Sequence, residues 1–381
     1  MIIHTLQCKD SMNETRLSDS LSDNSAHKAG PTSSLPVLPV LTKGIANIKS
    51  YGIIRVSGED ALNFLHNQLT QDFNTLLDGQ ARFCSFCNAK GRIQASFIGF
   101  KSSASQVLLV CSKDLIAQTV KRLSMFVLRS KVKVEDASSH FYLYGLIGDA
   151  EPTVAATVTK TTTPTTPTPT TAPKDLESAP WKKISNLIEA NGVQVEQHWI
   201  RLYPALGLER TLCVSSAEIQ YEEDKLLSEN TWNLSDVMSG VCLVGLPTFE
   251  SFVPQMINYE SLEGVHFQKG CYPGQEVVAR SQFRGTIKRR GFLISCSQRI
   301  EDGQALFLES ELGTSQDAQP CGQVLRVAEQ GGIYYGFASL QLTATEEAPG
   351  RESSPQIIAV TGDIRADIQT IPLPYKLRDD I

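Results

Sequence analysis

The chain has 381 residues, of which 41% are hydrophobic and 20% are charged, and its formal net charge is −6. This length leaves room for two or three domains with sizeable cores, and the composition is typical of a soluble globular protein. The negative balance excludes a general attraction to nucleic acid, so an RNA contact would need a local basic patch.

The N-terminal region shows no sign of a targeting segment. It lacks an apolar core and is rich in Asp and Glu, whereas secretory and mitochondrial targeting peptides are poor in acids. No apolar run is long enough to span a bilayer, so no membrane contact is expected. The nine cysteines are scattered, which indicates a reducing compartment. We therefore expect a cytoplasmic protein.

The first half of the chain predicts alternating hairpins and helices. Residues 1–44 are rich in Ser, Asp, Asn and Pro, and we expect them to be disordered. The Asn88-Ala89-Lys90-Gly91 stretch predicts a hairpin turn between two strands. The expected strands are 51–56, 81–87, 93–100, 107–111, 131–134 and 141–147, with helices at 61–69 and 113–125.

A segment made almost entirely of Thr, Pro and Ala interrupts the chain at residues 154–173. It cannot bury enough apolar surface to fold, and we interpret it as an insertion in a surface loop. After it we expect helices at 184–191 and 217–227, and strands near 193–202 and 211–214. From residue 291 onward, short strands separated by glycine predict a small β-barrel, at 291–295, 305–308, 322–327, 333–339 and 357–360.

The most informative stretch of the sequence is KGCYPGQE at residues 269–276. A helix is predicted from Gln275, so the thiol of Cys271 lies near a positive helix end and near the ammonium of Lys269. Both favour the thiolate over the thiol, and the flanking glycines leave the sulfur uncovered. The pattern predicts a nucleophilic or metal-binding cysteine. The alternative is a tight turn that contains a buried cysteine.

Other chemistry-bearing motifs are missing from the sequence. There is no Walker or dinucleotide fingerprint, no Gly-x-Ser-x-Gly elbow and no His-Glu-x-x-His. Cys84 and Cys87 form a lone CxxC, which we interpret as strand residues because zinc would need further ligands. No metal site and no iron–sulfur cluster held by this chain alone are expected.

The stretch at 269–276 resembles the Lys-Gly-Cys-Tyr-x-Gly-Gln-Glu motif of the YgfZ family, folate-binding proteins related to the T-protein (aminomethyltransferase) of the glycine cleavage system. The resemblance runs from about Tyr51 to Tyr375, interrupted by the Thr/Pro-rich insertion. The further matching stretches are Gln68-Leu69-Thr70-Gln71-Asp72, Cys87-Asn88-Ala89-Lys90-Gly91, Phe252-Val253-Pro254-Gln255, Val278-Ala279-Arg280, Phe283-Arg284-Gly285 and Pro372-Leu373-Pro374-Tyr375.

The resemblance implies an α+β fold. It would consist of a T-protein-like folate-binding region of two subdomains plus a small C-terminal β-barrel, arranged around a central cavity. The corresponding division of the chain is a disordered segment at 1–44, the T-protein-like region at 45–285 with the insertion at 154–173, and the barrel domain at 286–381.

The resemblance also implies a function. Family members bind folate and are implicated in iron–sulfur cluster assembly or repair and in tRNA modification. The implied cofactor is tetrahydrofolate or a derivative, and the implied partners are iron–sulfur enzymes or assembly proteins, and tRNA or a tRNA-modifying enzyme. Cys271 would act as a thiolate that Lys269 keeps ionised. The family's two folate-associated tryptophan positions align with Tyr51, which keeps an aromatic face, and with Trp232, which is otherwise an ordinary core aromatic.

Two competing interpretations stay open at this point. The first is a tetrahydrofolate-dependent one-carbon transferase, so the sequence leaves open whether any reaction is catalysed. Against aminomethyl transfer, the stretch Gly91-Arg92-Ile93-Gln94-Ala95-Ser96 lacks the aspartate that T-proteins need there. The second is a non-catalytic interaction module in which the cysteine motif is a structural turn.

A basic cluster follows the cysteine motif and is the candidate for an RNA contact. The alternative is a solvated helix and strand edge. Its members are Arg280, Arg284, Lys288, Arg289 and Arg290.

Overall fold

The computed structural model of the protein describes residues 36–148, 154–155, 169–170, 176–190, 193–312, 318–345, 355–362 and 364–378. Residues 1–35 and most of the insertion, for which we expected disorder and a surface loop, lie outside these ranges. The described chain begins before the expected boundary at residue 44. Leu41 is buried, and the hydroxyl of Tyr335 donates to the carbonyl of Val37 at 3.0 Å.

The described residues form 19 strands and four α-helices. Up to the insertion these are β1 (Gly44–Asn47), β2 (Tyr51–Ser57), α1 (Ala61–Gln68), β3 (Ala81–Cys87), β4 (Ile93–Ser103), β5 (Gln106–Ser112), α2 (Ile116–Ser124), β6 (Lys133–Asp136) and β7 (Tyr142–Ile147). Next come β8 (Val154–Ala155), β9 (Pro169–Thr170), β10 (Lys183–Ala190), β11 (Val193–Ala205), β12 (Leu208–Ser215), β13 (Leu226–Leu227), α3 (Glu229–Ser239) and α4 (Gln275–Phe283). The last are β14 (Arg289–Cys296), β15 (Ala305–Leu308), β16 (Gly322–Gln330), β17 (Ile333–Gln341), β18 (Ile357–Thr361) and β19 (Ile364–Ile371).

The first sheet has the strand order β3-β4-β5-β2-β6, and all its pairs are antiparallel. The predicted hairpin between β3 and β4 is present. Its turn is closed by the side chain of Asn88, which accepts from the amides of Lys90 at 2.9 Å and Arg92 at 3.0 Å, while Gly91 takes a positive φ of 71°. Short polar side chains that bond their own backbone in this way are typical of tight turns. The turn therefore has a fixed shape against which other segments can pack.

The second sheet has the strand order β10-β11-β12-β7-β1-β13 and is covered by α3. Gly145 of β7 allows a close contact there, because a Cβ on this residue would lie 2.1 Å from the ring of Trp232. Helix α3 begins at a Ser228 cap, whose hydroxyl accepts from the amide of Thr231 at 3.1 Å, and ends at Gly240 with φ 67°. The helix thus lies flat on the sheet.

The C-terminal region is a closed six-stranded barrel with the order β14-β17-β16-β15-β18-β19. It has its own apolar interior, which includes Ile294, Leu306 and Leu340. Helix α3 packs against β16 and β17 as well as against β1 and β11, so it joins the barrel to the second sheet. The expected α+β fold with a small barrel is confirmed.

Two predicted helices are wrong. Residues 184–191 mostly belong to strand β10, in which exposed residues recur at every second position, Ser185, Leu187 and Glu189. The stretch 217–227 holds no α-helix; it contains a 3-10 turn at Glu223–Lys225 and strand β13, which pairs in parallel with β1. Sheet pairing overrode the local helical spacing in both places, with the following strand β11 in the first and with the distant strand β1 in the second.

Candidate functional site

The cysteine motif forms a loop that enters helix α4 and packs on the hairpin turn of the first sheet. Gly274 precedes the helix with a positive φ of 80°, and a Cβ there would lie 2.4 Å from the carbonyl oxygen of Asn88 and 2.7 Å from the Cα of Gly91. Only glycine fits both the conformation and the space. Two of the family-like stretches, which are far apart in sequence, therefore meet at backbone contact.

The third family-like stretch, after helix α1, holds the other side of the loop. The hydroxyl of Thr70 donates to the carbonyl of Gly264 at 2.7 Å, and the amide of His266 donates to the carbonyl of Thr70 at 2.9 Å. The side-chain amide of Gln71 donates to the carbonyl of Glu263 at 2.6 Å. The segment that leads into the loop is thus held by hydrogen bonds to the chain after α1, and the far end of the loop packs on the hairpin turn.

Lys269 is buried and caps the end of helix α1. Its ammonium donates to the carbonyls of His66 and Leu69, the latter at 2.9 Å, and lies 4.6 Å from the centre of the Tyr272 ring. A cation at a helix C-terminus satisfies carbonyls that the helix itself leaves unpaired. Burial lowers the pKa of Lys269 to about 8, although the charges of Asp72, Cys84 and Cys271 act in the opposite direction. Lys269 therefore positions the loop and also acts electrostatically on Cys271.

Cys271 differs from the other described cysteines because it is exposed. The others are buried, and burial raises the pKa of each, for example to about 12 for Cys87 and to about 11 for Cys296 and Cys321. The thiolate is the reactive form, so these buried thiols are held unreactive. The structure thus singles out Cys271 by access. It also places Cys84 and Cys87 inside the first sheet, as interpreted from the sequence.

A histidine that the sequence interpretation missed lies beside the loop. The Nε2 atom of His66 would lie 3.3 Å from a Cβ on Gly270, the residue before Cys271, and its Nδ1 atom is 2.8 Å from a carboxylate oxygen of Asp72. Burial opposes ionisation of Asp72, but the hydrogen bonds from His66 and Thr75 outweigh it and lower the pKa of Asp72. The only sequence signal was a His and an Asp six residues apart around the end of helix α1.

A second polar cluster lies between the two sheets and is centred on Asp236 of α3. The hydroxyl of Tyr51 donates to one carboxylate oxygen, and the guanidinium of Arg210 donates to the other. Arg210 also bonds the hydroxyls of Ser235 at 2.8 Å and Ser239 at 2.9 Å. Burial, reinforced by the Asp236 charge, raises the pKa of Tyr51. The cluster is buried and internally satisfied.

Trp232 lies behind this cluster, and the Arg210 guanidinium stacks on its ring at 4.6 Å. Its side chain is fully buried and its Nε1 atom has no hydrogen-bond partner among the described residues. The small cavity between the sheets is lined by Tyr51, Arg210 and Asp236 together with aromatic and aliphatic side chains, but not by Trp232. The two residues suggested by the resemblance are therefore brought to one cluster, with only Tyr51 facing the cavity.

The central cavity does not fit a folate in this conformation. Its volume is about 10 Å³, which suits about one water molecule. Its aromatic faces and its carboxylate are of the kind that hold a flat heterocycle, so the mismatch is one of volume and not of residue type. A larger, separate groove of about 380 Å³ is lined by Phe86, Gln94, Arg122, Phe126 and Phe249, among others.

Gln94 stands in the stretch where T-proteins carry an aspartate, and it is buried against a carboxylate from another segment. Its amide donates to Glu250 at 2.5 Å. This hydrogen bond, aided by Asn88 and by the charges of Arg122 and Lys90, lowers the pKa of Glu250 despite partial burial. The sequence shows no carboxylate within this stretch. The carboxylate that lies beside it in the structure belongs to Glu250, in a distant segment.

The basic cluster after the cysteine motif is partly neutralised. Arg280 pairs with Glu276 at 2.8 Å, and Arg290 is buried against Glu260. Arg284 and Lys288 are exposed, and neither has an ion pair with a described residue. Among the described residues, no group of three or more His, Cys, Asp or Glu side chains could hold a metal, and no helix is long and apolar enough to cross a membrane.

The chain is similar in sequence and in fold to several known proteins. The family profile described as the GCVT N-terminal domain matches residues 41–178. The tRNA-modifying protein YgfZ of Edwardsiella ictaluri is 28% identical over 328 residues, which cover 84% of this chain and 89% of that protein. The protein of the same name from Hamiltonella defensa is 29% identical over 311 residues, covering 79% and 82%.

Among solved structures, the glycine cleavage system aminomethyltransferase T of Bartonella henselae matches with a TM-score of 0.54 at 13% sequence identity. The match covers 87% of this chain and 85% of that one. At this identity the similarity shows a shared fold. Together with the packed motif segments around Cys271, these matches show that the chain is similar to the YgfZ proteins and shares the fold of the T-proteins.

Proposed function

We propose that this protein is a cytoplasmic, folate-binding accessory protein that supports iron–sulfur cluster assembly or repair and, through it, tRNA modification. In this proposal Cys271 is the reactive thiolate and Lys269 its positioning residue. The observation that carries the proposal is the exposure of Cys271 on a loop that Lys269 and Gly274 hold from both sides. The names of the relatives, tRNA-modifying protein YgfZ, support the link to tRNA.

The thiolate of Cys271 would act on a cluster or a sulfur species carried by a partner. One thiolate supplies one of the ligands that an iron–sulfur cluster takes, so the proposal assigns the remaining ligands to the partner protein. An exposed sulfur on a rigid loop suits such an intermolecular contact, because a mobile loop would lose more conformational entropy on binding.

Complementation of a knockout strain tests this role. Wild type, Cys271→Ser and the buried-cysteine control Cys296→Ala are expressed at equal abundance, and iron–sulfur enzyme activities and thiolated tRNA are measured. We expect Cys296→Ala to restore both readouts and Cys271→Ser to restore neither. Full restoration by Cys271→Ser would contradict the proposal.

Tetrahydrofolate, or a derivative, is the proposed cofactor. Bound near the Asp236 cluster, it would supply a reduced pterin that carries one-carbon units, with Tyr51 and Asp236 next to the ring and Trp232 behind Arg210. The central cavity would have to open for this. The groove at Phe126 is the competing location, since aromatic faces and Arg122 could take the aryl and carboxylate parts of a folate.

Titration of tetrahydrofolate into matched variants distinguishes the two locations. If the central cavity is the site, Asp236→Asn and Trp232→Phe weaken binding and Arg122→Gln does not. If the groove is the site, Arg122→Gln and Phe126→Ser weaken binding and the central variants do not. Equal affinity in all folded variants would remove both locations.

A tetrahydrofolate-dependent one-carbon transferase is the second candidate, and the position of Glu250 favours it. This carboxylate lies 2.5 Å from Gln94, in the stretch where T-proteins carry their aspartate. The purified protein would then form 5,10-methylene-tetrahydrofolate from an aminomethyl group carried by RNA or protein, with the carbon passing to tetrahydrofolate and the nitrogen leaving as ammonia. Glu250→Gln would abolish the reaction. Failure of wild type to form this product with tRNA and with aminomethylated protein would dismiss the candidate.

A further inference from the structure

A second groove, separate from the central cavity and from the groove at Phe126, lies between the end of the β3–β4 hairpin turn and the barrel and includes Arg289 of the basic cluster. Its volume is about 370 Å³ and its lining is mixed, with slightly more polar than apolar surface. The polar side chains that line it come from the hairpin, the segment before α4 and three parts of the barrel region: Arg92, Ser251, Arg289, Gln319, Gln323 and Ser339. Residues from distant parts of the chain thus converge on one surface.

Two guanidiniums of like charge, Arg92 and Arg289, line this groove. Burial lowers the pKa of Arg289, and the charge of Arg92 acts in the same direction, whereas Cys321 opposes it. Arg289 donates to the carbonyls of Pro320 at 2.9 Å and Cys321 at 3.2 Å, and Arg92 donates to the carbonyl of Ser251. Neither has an ion pair with a described residue. A guanidinium has five N–H donors, so these contacts fix both side chains and leave donors free.

Ser339 supplies an independent observation. It is fully buried in strand β17, lines the groove, and its hydroxyl has no hydrogen-bond partner among the described residues. A buried hydroxyl without a partner costs stability unless a ligand or water bonds to it. In the barrel, Ser339 of β17 pairs with Gly291 of β14 and with Gln323 of β16. The backbone position of Ser339 is therefore fixed by strands on both sides.

We propose that this groove binds a phosphate group of an RNA backbone. Paired guanidiniums match phosphate oxygens with parallel N–H bonds, and a half-buried pair without a carboxylate is arranged for an anion. Arg284 and Lys288 are exposed cations that precede Arg289 in the chain, and in this proposal they contact neighbouring phosphates of the same strand. The choice of RNA over a free phosphate rests on these two residues and on the proposed link to tRNA modification.

Filter binding of an unmodified tRNA transcript to the full chain tests the proposal. The variant Arg92→Gln/Arg289→Gln is compared with Arg299→Gln/Arg365→Gln, which removes the same charge from exposed barrel arginines that do not line the groove. We expect the groove variant to weaken binding by about tenfold or more. A plot of the logarithm of the tRNA association constant against log salt concentration has a negative slope. In the groove variant only, this slope should become less steep by about one. Inorganic phosphate should compete with tRNA for wild type and not for the groove variant.

Several outcomes would overturn the proposal. An equal loss of tRNA affinity in both double variants would show that binding depends on overall charge and not on this groove. An unchanged tRNA affinity in the groove variant would show that the groove is not a binding site. Phosphate binding by wild type in direct calorimetric titration, without measurable tRNA binding, would make this a free-phosphate site. If the double variant does not fold, Arg289→Lys replaces it, because lysine keeps the charge and loses the paired donors. It is expected to weaken tRNA binding, whereas unchanged binding in this variant would refute the paired-donor argument. Each outcome is independent of the Cys271 complementation result.

Discussion

Lys269 is the residue whose removal gives the most informative change in stability. Lys269→Met keeps most of the apolar stem and removes the ammonium, so the carbonyls of His66 and Leu69 lose their donor. A buried acceptor left without a partner costs about 1–3 kcal/mol. The variant no longer buries a charge, which offsets part of that cost. We expect the free energy of unfolding to fall by about 2–4 kcal/mol at neutral pH.

The pH dependence of this difference has a definite sign. The pKa of Lys269 is lowered to about 8 in the folded protein, whereas an unfolded lysine titrates near 10.4. Between these values the unfolded chain binds more protons than the folded one, so stability rises with pH through this residue. Wild type should therefore gain stability relative to Lys269→Met from about pH 8 to about pH 10.

Urea unfolding of both proteins over this pH range measures the effect, and the other titrating groups largely cancel in the difference. Lys90→Met, at an exposed position of the hairpin turn, is the matched control and should change stability by less than about 0.5 kcal/mol. Two results would refute the assignment of Lys269 as a buried cap. One is a loss of unfolding free energy in Lys269→Met no larger than in Lys90→Met. The other is a difference in unfolding free energy between wild type and Lys269→Met that narrows as the pH rises.

Two further predictions concern the loop and the insertion. Gly274→Ala should lower stability by at least about 1–2 kcal/mol more than Gly207→Ala. Both glycines have a φ near 80°, but only Gly274 would place a Cβ against backbone, at 2.4 Å from Asn88, whereas Gly207 has nothing within 4 Å. Equal losses in urea unfolding would show that the loop does not pack on the turn. Deletion of residues 154–173 should leave the melting temperature and folate affinity nearly unchanged, because its composition offers no apolar face; a large drop would place the segment in the core.

The sequence was sufficient for the fold where its signals were local or carried by the family resemblance. The Asn88 turn and the glycine-separated strands of the barrel needed only short-range patterns. Strand β10 was missed because its identity depends on pairing with β11, which local spacing does not encode.

The candidate site was predicted unevenly for the same reason. Cys271 and Lys269 are neighbours in sequence, so their proximity could be anticipated. The contact of His66 with the loop, the carboxylate of Glu250 beside Gln94 and the bond between Arg210 and Asp236 join distant segments. The closed state of the central cavity depends on side-chain packing and has no signal in the sequence.

The central claim is that the loop at 269–276 presents the most reactive of the nine cysteines. Limiting iodoacetamide on the native protein, followed by peptide mapping across pH, tests it directly. We expect Cys271 to be labelled first, because the other described cysteines are buried and burial raises their pKa. Lys269→Ala should slow this labelling at neutral pH. Preferential labelling of Cys84, Cys87 or Cys321, or a Cys271 that reacts only after unfolding, would contradict the account.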